Sequence, residues 1–274
     1  MRPELKEYEY QKDIVGGKIV TFEMEMVPYP DHRTRKIRVY LPDSYDGVRR
    51  FPVIYMHDGQ GVFRNEQEEV KIDMDRALTE TGVEAIVVTI DNAETRGTEL
   101  TPAAPRGEVG AVVNGYRIPI IPGESTTDIY ADFVIGALKS TIDETFMTLT
   151  GPENTTIGGI SAGGTASYYM MLRNPEVFGK AIICSPGFPM FDLRGMLKIL
   201  DEYDFSKLAN NKFAFYNGDQ SIDVTSVDHV LAIYRKLKEK GIDKEHMMFL
   251  LDTRQSHCNE AWKKYMPEIL RFLF

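Results

Sequence analysis

Two kinds of hydrophobic spacing alternate along the chain. "KIVTFEMEMV" (18–27) and "TRKIRVYLP" (34–42) repeat with period two and predict an antiparallel strand pair, joined by the turn-rich "PYPDHR". "FPVIYMHDG" (51–59) and "EAIVVTIDN" (84–92) are nearly continuous apolar runs, as buried strands are. Between them "IDMDRALTETG" reads as a short helix stopped by Gly82. From Thr127 to Phe146 the period lengthens: Ile129, Phe133, Ala137, Ile142 and Phe146 fall near one helical face, with "STTD" as the N-terminal cap. The alternation then becomes regular. Strand "NTTIGGI", helix "AGGTASYYMMLRN", strand "KAIICSP", strand "KFAFYNG", helix "VDHVLAIYRKLKEKG", strand "HMMFLLD" and helix "NEAWKKYMPEILRFLF" follow in order. Buried strands alternating with helices predict an α/β fold, a mostly parallel sheet covered on both faces. Ligands of such sheets bind beyond the carboxyl ends of the strands.

Length and charge narrow the class. With 274 residues, no internal repeat and no compositional break after residue 35, the chain reads as one domain, 1–274, of which 1–34 is a strand-bearing extension. The net charge is 32 − 41 = −9, and no basic stripe offsets it, which argues against nucleic-acid and anionic-membrane partners. There is no apolar leader-like run at the beginning and no run of 18 apolar residues. With only Cys184 and Cys258, the expected setting is a reduced, cytoplasmic one, and a homodimer is left open. The dispersed histidines and the lack of a G-x-G-x-x-G or Walker pattern imply no metal and no nucleotide cofactor.

The chemistry concentrates around "GGISAGGTA" (158–166). Gly159-Ile160-Ser161-Ala162-Gly163 is a G-x-S-x-G arrangement lying between a predicted strand and a predicted helix. A nucleophilic serine on such a turn needs small neighbours two positions either side so that strand and helix do not collide, and the Ala162 amide at the helix start can face a developing oxyanion. Gly158 and Gly164 are expected only to ease packing. Ser161 needs a base. Of the five histidines, His32 and His57 precede the serine and His229 and His246 fall in predicted helix or strand-edge positions, which leaves His257, after the last predicted strand, to complete the chain order Ser, acid, His. The acid is expected in the loop after "KFAFYNG", where Asp219 and Asp223 compete. Asp223 is preferred, with Asp219 as the alternative. "HDGQGVF" (57–63) supplies a glycine-rich turn after an early strand, and the backbone amide of Gln60 is the candidate second oxyanion donor.

These segments resemble the esterase family of α/β-hydrolases, which includes siderophore esterases, feruloyl and acetyl esterases of plant cell-wall carbohydrates, S-formylglutathione hydrolases and mycolyltransferases. The resemblance rests on "FPVIYMHDGQGVF", "IYADFVIGALKSTIDETFMT", "TTIGGISAGGTASYYMMLRNPEVFGKAIICSPGF" and "SHCNEAWKKYMPEIL", and spans about residues 35–270. It implies the α/β-hydrolase fold, Ser161 as nucleophile, His257 as base and Gln60 as an oxyanion donor. The family's usual acid position, three residues after the strand-ending glycine, holds Ser221 here. The spacing from Asp223 to Gly241 fits the family better.

The resemblance implies a serine ester hydrolase working through an acyl-enzyme on a small or carbohydrate-linked acetyl or feruloyl ester. An acyltransferase, a siderophore trilactone esterase or a catalytically impaired binding protein remain alternatives. Substrate contacts are expected from the long segment 92–125, with Arg96, Glu99 and Tyr116 as candidates. A second wall is expected from 185–205, where Phe188 is a candidate and core filling beneath a loop the competing reading.

Overall fold

A computed structural model describes residues 3–27, 29–64, 72–103, 112–118, 121, 123–208 and 210–274. Its centre is a nine-stranded sheet. The strands in chain order are β1 (Lys6–Glu7), β2 (Gly17–Glu25), β3 (Thr34–Pro42), β4 (Val53–His57), β5 (Ile86–Ile90), β8 (Thr155–Ile160), β9 (Lys180–Cys184), β10 (Lys212–Gly218) and β11 (Met247–Asp252). A separate hairpin is formed by β6 (Val112–Val113) and β7 (Tyr116–Arg117). The sheet order is β1-β2-β3-β5-β4-β8-β9-β10-β11. The strands from β5 to β11 in that order are parallel, whereas β1, β2 and β3 are antiparallel to their neighbours. This is the α/β-hydrolase arrangement, with the antiparallel pair predicted for 18–27 and 34–42 realised as β2 and β3.

The continuous apolar runs are strands because both faces are covered. In β4, Val53 and Tyr55 belong to one core, and Ile54 and Met56 to the other. The first core takes the long segment formed by α3 (Thr127–Asp132), a π-helical turn (Phe133–Leu138) and α4 (Lys139–Thr145), together with α5 (Ala162–Arg173), α6 (Leu193–Glu202) and α7 (Val227–Glu239). The second takes α1 (Met74–Thr81) and α8 (Asn259–Leu273). Gly82 ends α1 with φ 69°, as its position predicts. The cap expected from "STTD" is made differently: Thr126 makes no side-chain cap, and Ser125 Oγ accepts the Thr127 N–H at 3.3 Å. Two elements carried no clear sequence period, the four-residue helix α2 (Arg96–Glu99) and the β6–β7 hairpin. Part of the segment containing them, 104–111, 119–120 and 122, lies outside the described residues. Among the described residues, no helix is long and apolar enough to cross a membrane.

Candidate active site

Every parallel strand contributes to one end of the sheet. At the centre β8 runs into Ser161, whose backbone sits at φ 58° and ψ −123°, a region that costs a non-glycine residue about 1–3 kcal/mol. The surroundings hold it there. Ser161 N–H donates to Cys184 O at 2.9 Å, and Ser161 O accepts from Thr165 N at 3.1 Å and from Gly187 N at 3.3 Å. The glycines explain how the turn closes. A Cβ on Gly159 would stand 2.6 Å from the Gly163 carbonyl carbon, and one on Gly164 would stand 2.9 Å from Cys184 O, so both must be side-chain-free for α5 to approach the sheet. Ala162 follows Ser161 as the first residue of α5, where the amide has no intrahelical acceptor.

Beyond β10 the chain makes a 3-10 turn, Ser221–Thr225, that buries Asp223 to 1% exposure. Its Oδ1 lies 2.6 Å from His257 Nδ1, and its Oδ2 accepts from Ser185 Oγ at 2.8 Å and from the Gly218 amide at 3.2 Å. An ionised carboxylate only accepts, so Nδ1 carries the hydrogen, and in the neutral ring Nε2 is left as the basic nitrogen. Ser185, directly after β9, is buried at φ 43° and also accepts from Trp262 Nε1 at 3.0 Å. The Trp262 ring meets His257 edge-on, with centroids 4.9 Å apart and planes at 88°. Asp219 takes no part in this cluster; its Oδ1 accepts from its neighbour Gln220.

On the other flank, β4 ends in His57 and Asp58, and β5 leads to Asn92 and Arg96. Asp58 holds Arg96 through two bonds, Nε to Oδ1 at 2.6 Å and Nη2 to Oδ2 at 2.8 Å, and Asn92 Nδ2 donates to the same Oδ1 at 2.5 Å. The Arg96 guanidinium is one-third exposed while the carboxylate is buried. Burial works against its charge, but the bonds to Asp58 outweigh that and raise its pKa. His57 is buried, its Nδ1 lies 2.9 Å from the Tyr130 hydroxyl, and its Nε2 finds no partner among the described residues. Burial pushes its pKa down to about 4, against a raising effect of Asp58.

A cavity of about 300 Å³ lies over Ser161. Arg96, Ala162, Asp223 and His257 line it with Ser185, Ile118, Ile121, Met190 and other residues, and its surface is mainly apolar. Arg96 is thus the only one of the four expected substrate contacts that lines this cavity. Glu99 is buried in an ion pair with Arg35 at 2.6 Å, also bonded by Thr95, so its charge is committed inside the protein. Phe188 is fully buried with its ring packed edge-on against Tyr168, filling the core beneath its loop. Tyr116 is exposed on the β6–β7 hairpin. Gln60 belongs to the 3-10 turn Gly59–Gly61 after β4 and is not a lining residue. Its side chain exchanges two bonds with Asn92, Nε2 to Oδ1 at 2.7 Å and Asn92 N to Oε1 at 3.0 Å. That turn packs closely on α5, since a Cβ on Gly163 would stand 3.4 Å from Asp58 Oδ2. Sequence reasoning missed Ser185, Trp262 and the Asp58–Arg96 pair, all of which depend on contacts between distant strands. Among the described residues, no group of three or more His, Cys, Asp or Glu side chains is placed to hold a metal ion.

A family model described as "Putative esterase" matches residues 31–267. The chain is 28% identical over 184 residues to an endo-1,4-beta-xylanase/feruloyl esterase of Xylanibacter ruminicola, a match covering 63% of this chain and 22% of that protein's length. It is 21% identical over 253 residues to YbbA, an uncharacterised protein of Bacillus subtilis, covering 88% of this chain and 92% of the relative. Among solved structures it resembles the enterobactin esterase FES of Shigella flexneri, with a TM-score of 0.68 and 17% identity over 92% of this chain and 58% of that one. A ferulic acid esterase superposes with a TM-score of 0.64 and 17% identity, covering 93% and 98%.

Proposed function

The chain belongs to the esterase family of α/β-hydrolases, and from that premise we propose that it is a serine carboxylic-ester hydrolase whose nucleophile is Ser161. The observation that carries this reading is the single cavity lined by Ser161, at the strained turn, and by the bonded pair His257–Asp223. The Ser161 hydroxyl attacks the ester carbonyl carbon while His257 Nε2 takes its proton. The oxyanion is held by the amide of Ala162, with the amide of Gln60 from the adjoining turn as the second donor. Collapse expels the alcohol, which receives the proton from His257. Water then attacks the acyl-enzyme by the same route, with His257 as base. Asp223 stays ionised throughout and stabilises the imidazolium.

Substrate class follows from the walls. They are mainly apolar, and the one arginine among the described lining residues has its charge compensated by Asp58, so it offers N–H donors without a net positive field. That suits a neutral ester with oxygen-bearing substituents, such as a feruloyl or acetyl group on a carbohydrate. The feruloyl esterase named in the Xylanibacter relative supports the same choice. The bond from His257 to Asp223 favours catalysis over an impaired binding protein, because the base has an orienting acid although Ser221 occupies the family's usual position.

The test is labelling with a fluorophosphonate followed by turnover of feruloyl and acetyl sugar esters. Stoichiometric modification at Ser161 with loss of turnover is expected. Modification elsewhere, or full activity in Ser161→Ala, overturns the mechanism.

A further inference from the structure

Asp223 is bonded on both sides, and only one side belongs to the ester chemistry proposed above. Its Oδ1 receives His257. Its Oδ2 receives the Ser185 hydroxyl, which can donate there because its own oxygen accepts the Trp262 indole N–H. A serine hydroxyl has one hydrogen to give, so the indole bond sets its direction: Oγ receives from Trp262 and donates to the carboxylate. The relay is buried from end to end, with Ser185 at 2%, Trp262 at 5% and Asp223 at 1% exposure. The same tryptophan closes the loop, since its ring lies edge-on against the imidazole that Asp223 holds. The backbone supports this arrangement at a cost, because Ser185 sits at φ 43°, where few non-glycine residues are found, and its amide donates to Tyr216 O at 2.8 Å.

We propose that Ser185 and Trp262 are positioning residues of the ester-hydrolysing site, a relay that fixes the Asp223 carboxylate plane and so aims the His257 ring. The inference rests on the assignment of Asp223 as acid. Three elements far apart in sequence meet here: the end of β9, the turn after β10 and the first turn of α8. Without the hydroxyl the carboxylate keeps only the Gly218 amide on Oδ2, and it can rotate away from the geometry that His257 requires.

The experiment compares Ser185→Gly, which fits the positive φ, and Trp262→Phe, which keeps a ring beside His257 but removes the N–H, each alone and in an Asp223→Asn background. Expected is a fall in kcat of about 10- to 100-fold for Ser185→Gly, the loss typical of one hydrogen bond to a charged group, and of about 2- to 10-fold for Trp262→Phe, whose lost bond is to a neutral hydroxyl, with KM within about twofold in both. A loss confined to kcat is a change that simple loosening of the core does not produce. Both losses disappear in the Asp223→Asn background, because the relay acts only through that carboxylate. Unchanged kcat in both single variants, or equal losses with and without the Asp223 carboxylate, overturns the relay. A normal kcat in Asp223→Asn alone overturns instead the assignment of the acid. Melting curves accompany each variant; if Ser185→Gly fails to fold, Trp262→Phe decides by the same criteria.

Discussion

His57 and His257 flank Ser161, each beside an aspartate and an aromatic ring at the same end of the sheet. What separates them is where the neighbouring carboxylate points. Asp58 is committed to Arg96 and Asn92, so His57 is left against the Tyr130 hydroxyl with a buried Nε2 that has no partner among the described residues, and burial drives its pKa to about 4. Asp223 instead turns one oxygen to His257, whose ring is a quarter exposed and lines the cavity. The same residue types therefore give one imidazole that resists protonation and one that is held by a carboxylate at the cavity wall. Chain order pointed to His257, and the physical difference between the two imidazoles lies in their partners.

The sharpest way to break the comparison is to remove the carboxylate from the oriented side. Asp223→Asn should lower kcat by roughly 10² to 10⁴, because an amide can donate to Nδ1 and stabilise the tautomer in which Nε2 carries the hydrogen. Asp219→Asn should stay within about threefold, since Asp219 makes its bond to Gln220 and leaves His257 alone. Steady-state kinetics on a neutral ester decides between them, and the reverse ranking would move the acid to Asp219.

The sequence favours Asp223 only through its spacing to Gly241, and what separates the two aspartates physically was not legible there for a local reason. Asp219 and Asp223 both lie within five residues of Gly218, and only the 3-10 turn Ser221–Thr225 turns one of them inward. Motifs whose geometry is local were legible: G-x-S-x-G between a buried strand and a helix, the glycines that admit α5, and the period-two runs that became β2 and β3. Residues whose role depends on distant partners were not. Glu99 looked like a loop carboxylate, but its partner Arg35 sits on β3, more than sixty residues earlier. Phe188 illustrates the converse, because an apolar loop residue reads the same whether it lines a cavity or seals a core. Ser185 and Trp262 carry no signal beyond ordinary strand-end and helix positions, and they matter only because β9, β10 and α8 converge.

The second test uses the buried imidazole. In the folded protein His57 titrates near 4, whereas in the unfolded chain it titrates near its ordinary value of about 6.5. As pH falls through that interval the unfolded chain binds a proton that the folded chain refuses. Stability present above about pH 6.5 is therefore lost toward pH 4, by roughly 3 kcal/mol in all. Denaturant midpoints measured from pH 7 to 4.5 should fall more steeply for the native chain than for His57→Asn, which has no proton to gain but keeps a polar group near Tyr130. Parallel slopes would show that His57 is not the buried neutral group described here.

The smallest effect concerns the aspartate on that same flank, and it bears on what the cavity accepts. Asp58 has φ 57°, a conformation that asparagine tolerates well, so Asp58→Asn removes a charge without forcing the turn to refold. An amide oxygen can still accept from Arg96 Nε, which keeps the guanidinium near its place in the cavity wall. What changes is the field. The pair that was neutral becomes a cation facing the acyl or alcohol part of the ester, and with the guanidinium one-third exposed the gain for an anionic group is about 1 kcal/mol, roughly fivefold. The measurement is the ratio of kcat/KM for an anionic ester, such as a succinyl monoester, to that for the matching neutral one. It should rise about fivefold in Asp58→Asn, mainly through the anionic ester. An unchanged ratio, or a native chain that already prefers the anion, would mean that Arg96 does not face the substrate as a compensated donor. The two flanks of Ser161 would then divide the work differently, with Asp58 holding the turn after β4 and leaving selection to the apolar walls.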